Sequence, residues 1–418
     1  MKSVIAASVL ALMASTSAFA TDVDADISQF AIGIQEALNE LEDVKTATDV
    51  TQEAVNAANL VSLVDAGDLT EVYQKSMVKQ DAVNSIEPPK FKKVDVVGAV
   101  QEATNVANSI SFGKDDGTGA AEALEKIKQK SYGDQFAMNK IDDADLADTV
   151  AQTAVNAANL VTLSVDAGAI DEIKQKSMGE QTAINEIDTG WNWSWWTGPY
   201  RNGAVITDVT QSATNVANSI SLGEIGDTGS MLDDVSQYAS VDQSAVNDIK
   251  VALTAEDVAQ EAVNATNLIT SDLADLGEVS QTAWGNQEAL NTIEFKDWID
   301  GNAIVDGAVV PSSQSATNVI NSVSAPEIRT TLAQFSDVNQ KARNVADSVS
   351  SSSKVWDLNQ TAVNAANLVS IGTIGGDLEL SQVAFVSQNA SNLIDANGTV
   401  EAVVQSATNV ANSIGDLN

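Results

Sequence analysis

The chain contains neither cysteine nor histidine. Without cysteine no disulfide framework holds the fold, and without histidine the commonest general base and metal ligand is missing. Basic residues are also scarce: 21 Lys and Arg stand against 58 Asp and Glu, a formal charge of −37 at pH 7. That balance argues against nucleic acid as a partner, because phosphate backbones are held by clustered lysines and arginines. Aromatic residues make up only 5% of the chain, too few for a thick globular core. A thin, regular core of small residues fits better. Beyond residue 20 no stretch approaches the roughly 20 uninterrupted apolar residues of a spanning helix, so no helical membrane insertion is expected.

Residues 1–20, MKSVIAASVLALMASTSAFA, combine Lys2, an apolar run, and small residues at Ala18 and Ala20. This is the pattern of a secretory signal peptide, so the mature chain is expected to begin at Thr21 and to act outside the cell or on its surface.

What is abundant is repetition. The pattern Q-x-A-x-N recurs sixteen times, its glutamine at 35, 52, 80, 101, 135, 152, 181, 211, 243, 260, 287, 314, 340, 360, 388 and 405. Odd copies carry a second glutamine six residues earlier, as in QFAIGIQEALN and QKSMVKQDAVN. Even copies alternate between an AVNAANL form and an ATNVANSI form. One odd and one even copy span roughly 50 residues, so residues 21–418 are expected to be a single domain of eight such units. Two units make a super-repeat, approximately 27–115, 127–222, 235–325 and 332–418. A Trp-rich insertion at 189–203 interrupts the fourth unit.

In the odd copies the retained residues fall on every second position, for example Gln237, Ala239, Val241, Gln243, Ala245, Asn247 and Ile249. A period of two is a strand signature, since alternate side chains share one face. The even copies also admit a helical stripe through Val209, Ala213, Val216 and Ile220. A helix, however, gives no reason for Gln and Asn to recur.

The expected fold is therefore all-β: a β-solenoid with two strands per rung, odd stacked on odd and even on even, about 4.8 Å apart. Eight rungs then stand on the order of 35 to 40 Å tall. At that spacing each repeated amide hydrogen-bonds to its copies above and below, as in amyloid-like ladders. The candidate ladder and self-assembly residues are Gln29, Gln35, Asn39, Gln52, Asn56, Gln74, Gln80, Asn84, Gln101 and Asn105 near one end. Near the other end they are Gln382, Gln388, Asn392, Gln405 and Asn409. A monomeric solenoid normally carries atypical capping repeats, because an open rung exposes unpaired N–H and C=O groups. The first unit starts at Gln29 and the last, QSATNVANSIGDLN, is as regular as the others. Head-to-tail stacking of such units does not close and produces a filament.

The alternation of Gln, small residue and Asn through residues 29–412 resembles curlin, the repeat of bacterial curli amyloid fibres. Two departures stand beside the resemblance: curlin rungs are about half this length and favour Gly where this chain places Ala. The resemblance implies a secreted major fibre subunit of a bacterial biofilm matrix, exported through a dedicated outer-membrane pore with accessory proteins such as a nucleator. Its partner is then itself, as a homopolymer.

Other features point elsewhere. Trp191, Trp193, Trp195 and Trp196 could stack on sugar rings, which would make the chain a surface adhesin binding polysaccharide, or could fold back onto the solenoid wall. Acidic turns such as 22–26 and 142–148 carry oxygen ligands of the kind calcium takes, but in no EF-hand or G-G-x-G-x-D spacing, so they read as solvated turns. Serine without histidine cannot build a Ser-His-Asp arrangement, and no carboxylate pair stands out for glycoside hydrolysis. No enzymatic activity and no cofactor is expected.

Overall fold

The computed structural model describes residues 25–416 apart from 64–68, 91, 113–123, 164–169, 190–203, 224–230, 273–274, 296–297, 301–302, 306–307, 349–353 and 375–377. Every regular element among the described residues is a β-strand. All belong to one parallel array except a short antiparallel hairpin of Trp298–Asp300 and Ala303–Val305.

The odd repeats stack into one sheet. Its strands are Ala25–Leu41, Leu69–Ile86, the pair Leu124–Tyr132 and Gln135–Ile141, and Glu172–Asp188. The first half of Met231–Ser271, then Asp275–Phe295, the second half of Ala308–Ser348, and Glu379–Asp395 complete it. The even repeats stack into a second sheet from Thr51–Leu63 to Val404–Val410 and Ser413–Asp416. Register is in step throughout: Gln29 lies beside Gln74, Gln74 beside Gln129, Gln52 beside Gln101 and Gln360 beside Gln405. The β-solenoid expected from the repeats is thus the fold, and the even copies are strands.

Their helix-like spacing has a different cause. Asn59, Asn108, Asn159, Asn218, Asn267, Asn321 and Asn367 all have φ between 51° and 59°, in the left-handed region. Asparagine tolerates that conformation better than most residues. One such residue breaks the period of two, so Ala58 and Asn59 both turn inward and the next inward side chain is Val61. The three-residue step from Asn56 to Asn59 is a kinked strand.

A rung holds more than two strands. Between odd and even strands runs a third, short ladder that begins Thr46–Thr48 on Val94–Val97 and ends Lys354–Trp356 on Thr399–Glu401. Thr46 pairs with Asp95, Asp95 with Leu146, Leu146 with Val205, and Val205 with Thr254. Two facing sheets lie about 10 Å apart, so the chain needs a connecting segment, and pairing satisfies its backbone groups.

The core is layered along each strand. At one edge Val72, Ile127, Ile173 and Val235 meet Val61, Ile110, Val161 and Ile220. At the other, Ile86, Ile141, Ile187 and Ile249 meet Val96, Ile206, Val258 and Val355. Each such side chain contributes about 1.5–3 kcal/mol by burial. Between them lies a column of alanines from both sheets, including Ala82, Ala137, Ala183, Ala103, Ala154 and Ala213. Alanine keeps the sheets close enough for amides of one to reach carbonyls of the other.

Candidate functional site: six amide ladders and two open rungs

The glutamines and asparagines picked out by the repeat face inward, and in the interior rungs they are almost wholly buried: Gln74, Gln80, Asn84, Gln101 and Asn105 are each 0% exposed. A buried amide without partners costs about 1–3 kcal/mol, so each must be bonded. Six columns do this, each continuous through eight rungs. Three are glutamine columns, starting at Gln29, Gln35 and Gln52; three are asparagine columns, starting at Asn39, Asn56 and Asn59. The repeat pattern marks five of them. The Asn59 column is not among them, although an asparagine stands seven residues after the glutamine in every even copy, because the period of two breaks there.

The two residue types run in opposite directions. From rung 2 onward each ladder glutamine donates Nε2–H to Oε1 of its copy in the preceding rung, as Gln74 does to Gln29 at 2.8 Å, Gln80 to Gln35 at 2.8 Å and Gln101 to Gln52 at 2.7 Å. The last links, from Gln382, Gln388 and Gln405, keep that direction. Through rung 7 each ladder asparagine donates to its copy in the following rung, as Asn39 does to Asn84 at 2.9 Å, Asn56 to Asn105 at 3.0 Å and Asn59 to Asn108 at 2.9 Å. At the far end Asn344, Asn364 and Asn367 donate to Asn392, Asn409 and Asn412.

Backbone carbonyls of the facing sheet set these directions. The second N–H of Asn84 goes to Glu102 O at 2.7 Å, that of Asn105 to Phe136 O at 2.7 Å, and Gln74 Nε2 meets Asn59 O at 2.6 Å. A carbonyl only accepts, so the amide nitrogen must face it, and the oxygen is left for the neighbouring copy. Gln74 also approaches Ser109 O at 3.2 Å. The odd strand of one rung therefore sits between the even strands of its own rung and the preceding one, and the sheets are offset along the axis.

The offset leaves a stepped surface at each end. In rung 1 the odd strand stands open among the described residues: Gln29, Gln35 and Asn39 are only partly buried, whereas Gln52 and Asn56 are 6% exposed. In rung 8 the even strand stands open among the described residues, with Gln405 and Asn409 exposed and Gln382, Gln388 and Asn392 half-buried. Among the described residues nothing donates to Oδ1 of Asn39, and nothing donates to Oε1 of Gln382, Gln388 or Gln405. Rung 1 thus presents glutamine nitrogens and asparagine oxygens, and rung 8 presents glutamine oxygens and asparagine nitrogens; Gln52 already donates to Asn39 O and Ser85 O, and Asn392 to Gln360 O and Ser406 O.

Trp191, Trp193, Trp195 and Trp196 lie outside the described residues, as does the signal-peptide pattern of residues 1–20. Among the described residues no three His, Cys, Asp or Glu side chains converge as a metal site would require. No known protein family, curated protein or solved structure matches this chain.

Proposed function

We propose that this chain is a secreted structural subunit that assembles head to tail into extracellular fibres, as a component of a biofilm matrix or cell surface. The observation that carries this reading is the complementarity of the two open rungs. If rung 1 of one copy follows rung 8 of another, Gln29, Gln35 and Gln52 donate to Gln382, Gln388 and Gln405 of the neighbour. Asn392, Asn409 and Asn412 of that neighbour in turn donate to Asn39, Asn56 and Asn59.

All six ladders then cross the junction in their own direction, and the two steps fit. Gln52 and Asn392 exchange an existing bond for theirs, so at roughly 0.5–1.5 kcal/mol net per hydrogen bond the other four links supply about 2–6 kcal/mol before the backbone ladder is counted. Head-to-head contact instead sets glutamine donors against donors, which specifies a polar fibre. The repetition of one unit along the whole chain supports a structural role over catalysis.

The test is assembly of the purified mature chain, followed by electron microscopy and fibre diffraction. Fibres with a meridional spacing of about 4.8 Å are expected. The triple variant Gln29→Leu, Gln35→Leu, Asn39→Leu, altered only in the open rung, should stay β-rich and monomeric. Persistent monomer from the unaltered chain across salt and pH overturns the reading.

A further inference from the structure

A trough runs along the outer face of the odd sheet through rungs 4 to 8, with a volume of about 520 Å³. Its origin is a difference in side-chain length between neighbouring columns. The middle column, Asp242, Asn286, Asn339 and Ser387, is short. In the first two rungs the same column carries the longer Ile34 and Lys79. On one side Glu288, Lys341 and Asn389 form a wall, with Lys341 Nζ bound to Glu288 at 2.6 Å.

On the other side the neighbouring column is Ser240, Trp284, Asp337 and Phe385, and Phe335 stands one column beyond it. Trp284 and Phe335 lie 5.0 Å apart between centroids, and Phe335 and Phe385 6.0 Å. Trp284 is 40% and Phe385 63% exposed, a rare outlay in a chain so poor in aromatics.

The polar floor is held in place. Asp242 Oδ1 accepts from both the backbone N–H and Nδ2 of Asn286, each at 2.8 Å, and Asn339 Nδ2 donates to Asn286 Oδ1 at 3.0 Å. Each of these residues keeps bonding capacity toward the solvent side, because an amide carries four sites and a carboxylate about four.

We infer that this trough binds a neutral, linear polysaccharide strand lying parallel to the solenoid axis. Exposed ring faces suit the C–H faces of pyranose rings, and oriented amides and carboxylates suit their hydroxyls; a few placed polar groups beside an apolar wall are what orient a ligand in a cleft. From Asp242 to Ser387 the short column runs over about 14 Å, three rung spacings, which selects an extended chain. Charge decides against an anionic glycan: Glu180, Asp242 and Glu288 border the trough, and its single lysine is already paired. The inference stands on the sheet face alone and does not depend on fibre assembly.

Isothermal titration of freshly dissolved, full-length mature chain with cellohexaose tests it, with an oligogalacturonate as the anionic comparator. Binding of cellohexaose is expected, at least tenfold tighter than the comparator. Trp284→Ala should weaken it at least tenfold. Ser387→Trp, which adds bulk at an exposed position and removes no packed group, should block it while leaving the amide I spectrum unchanged. Replacing Trp191, Trp193, Trp195 and Trp196 together by Ala should leave the affinity unaltered. Absence of binding, tighter binding of the oligogalacturonate, full affinity in both Trp284→Ala and Ser387→Trp, or loss of binding on the fourfold replacement each overturns the assignment.

Discussion

A buried amide stabilises this fold only because it meets its own copy one rung away and a carbonyl across the core. The same burial acts unfavourably on a carboxylate. Asp248 lies on the outer face of the odd sheet beside Glu186, and its side chain is 22% exposed. Burial pushes its pKa from 3.8 up to about 6, with Lys250 opposing and Glu186 adding to the rise. The folded state therefore holds a proton that the unfolded chain has released between about pH 4 and pH 6, and stability falls as pH rises through that window. The loss amounts to at most about 3 kcal/mol at 1.36 kcal/mol per pKa unit. Asp248→Asn should abolish this component, raising stability at pH 7 and leaving it nearly unchanged at pH 3. Guanidinium unfolding at the two pH values measures the difference.

Within the strand, the left-handed asparagine column does two things at once: it kinks the even strand and carries a ladder. Asn267 has φ of 55°, accepts from Asn218, and donates to Asn321 and to Thr282 O. Asn267→Ala loses the bonds and strains the backbone, with an expected cost of about 2–4 kcal/mol. Asn267→Gly relieves the strain and leaves the ladder broken, so it should recover only about 1 kcal/mol. Equal stability of the two variants would show that the ladder carries the whole effect.

The odd strand has its own kink. Gly285 has φ of +127°, and a Cβ there would stand 2.1 Å from Val241 O. That close approach keeps neighbouring rungs at strand spacing through the bend.

At the scale of the molecule the opposing force is charge. Stacking copies that each carry −37 brings like charges together, and only part is relieved by ion pairs between rungs such as Lys250 with Glu186 at 2.9 Å and Lys128 with Glu71 at 3.1 Å. Elongation of the proposed fibre should therefore accelerate as ionic strength rises from about 10 mM to 150 mM, where the screening length falls from about 30 Å to 8 Å. Mild acid should help in the same direction, partly through Asp248. Seeded growth followed by light scattering checks this, and rates independent of salt contradict it.

Recurrence at fixed positions was enough to identify the odd and even strands, the eight rungs and five of the amide columns. Side chains such as Gln237, Gln243 and Asn247 repeat only because each must find its copy, and that requirement is written locally. The sixth column was present as a recurring asparagine but illegible as a strand position, because a left-handed residue changes which side chains face inward without changing composition. The third ladder was equally hidden: residues such as Thr46, Asp95 and Leu146 share no side-chain type and are related only by backbone pairing. Ladder direction and the stepped ends were decided by tertiary structure alone, since they follow from which carbonyl of the opposite sheet each amide nitrogen reaches. No pattern along one strand encodes the offset between two.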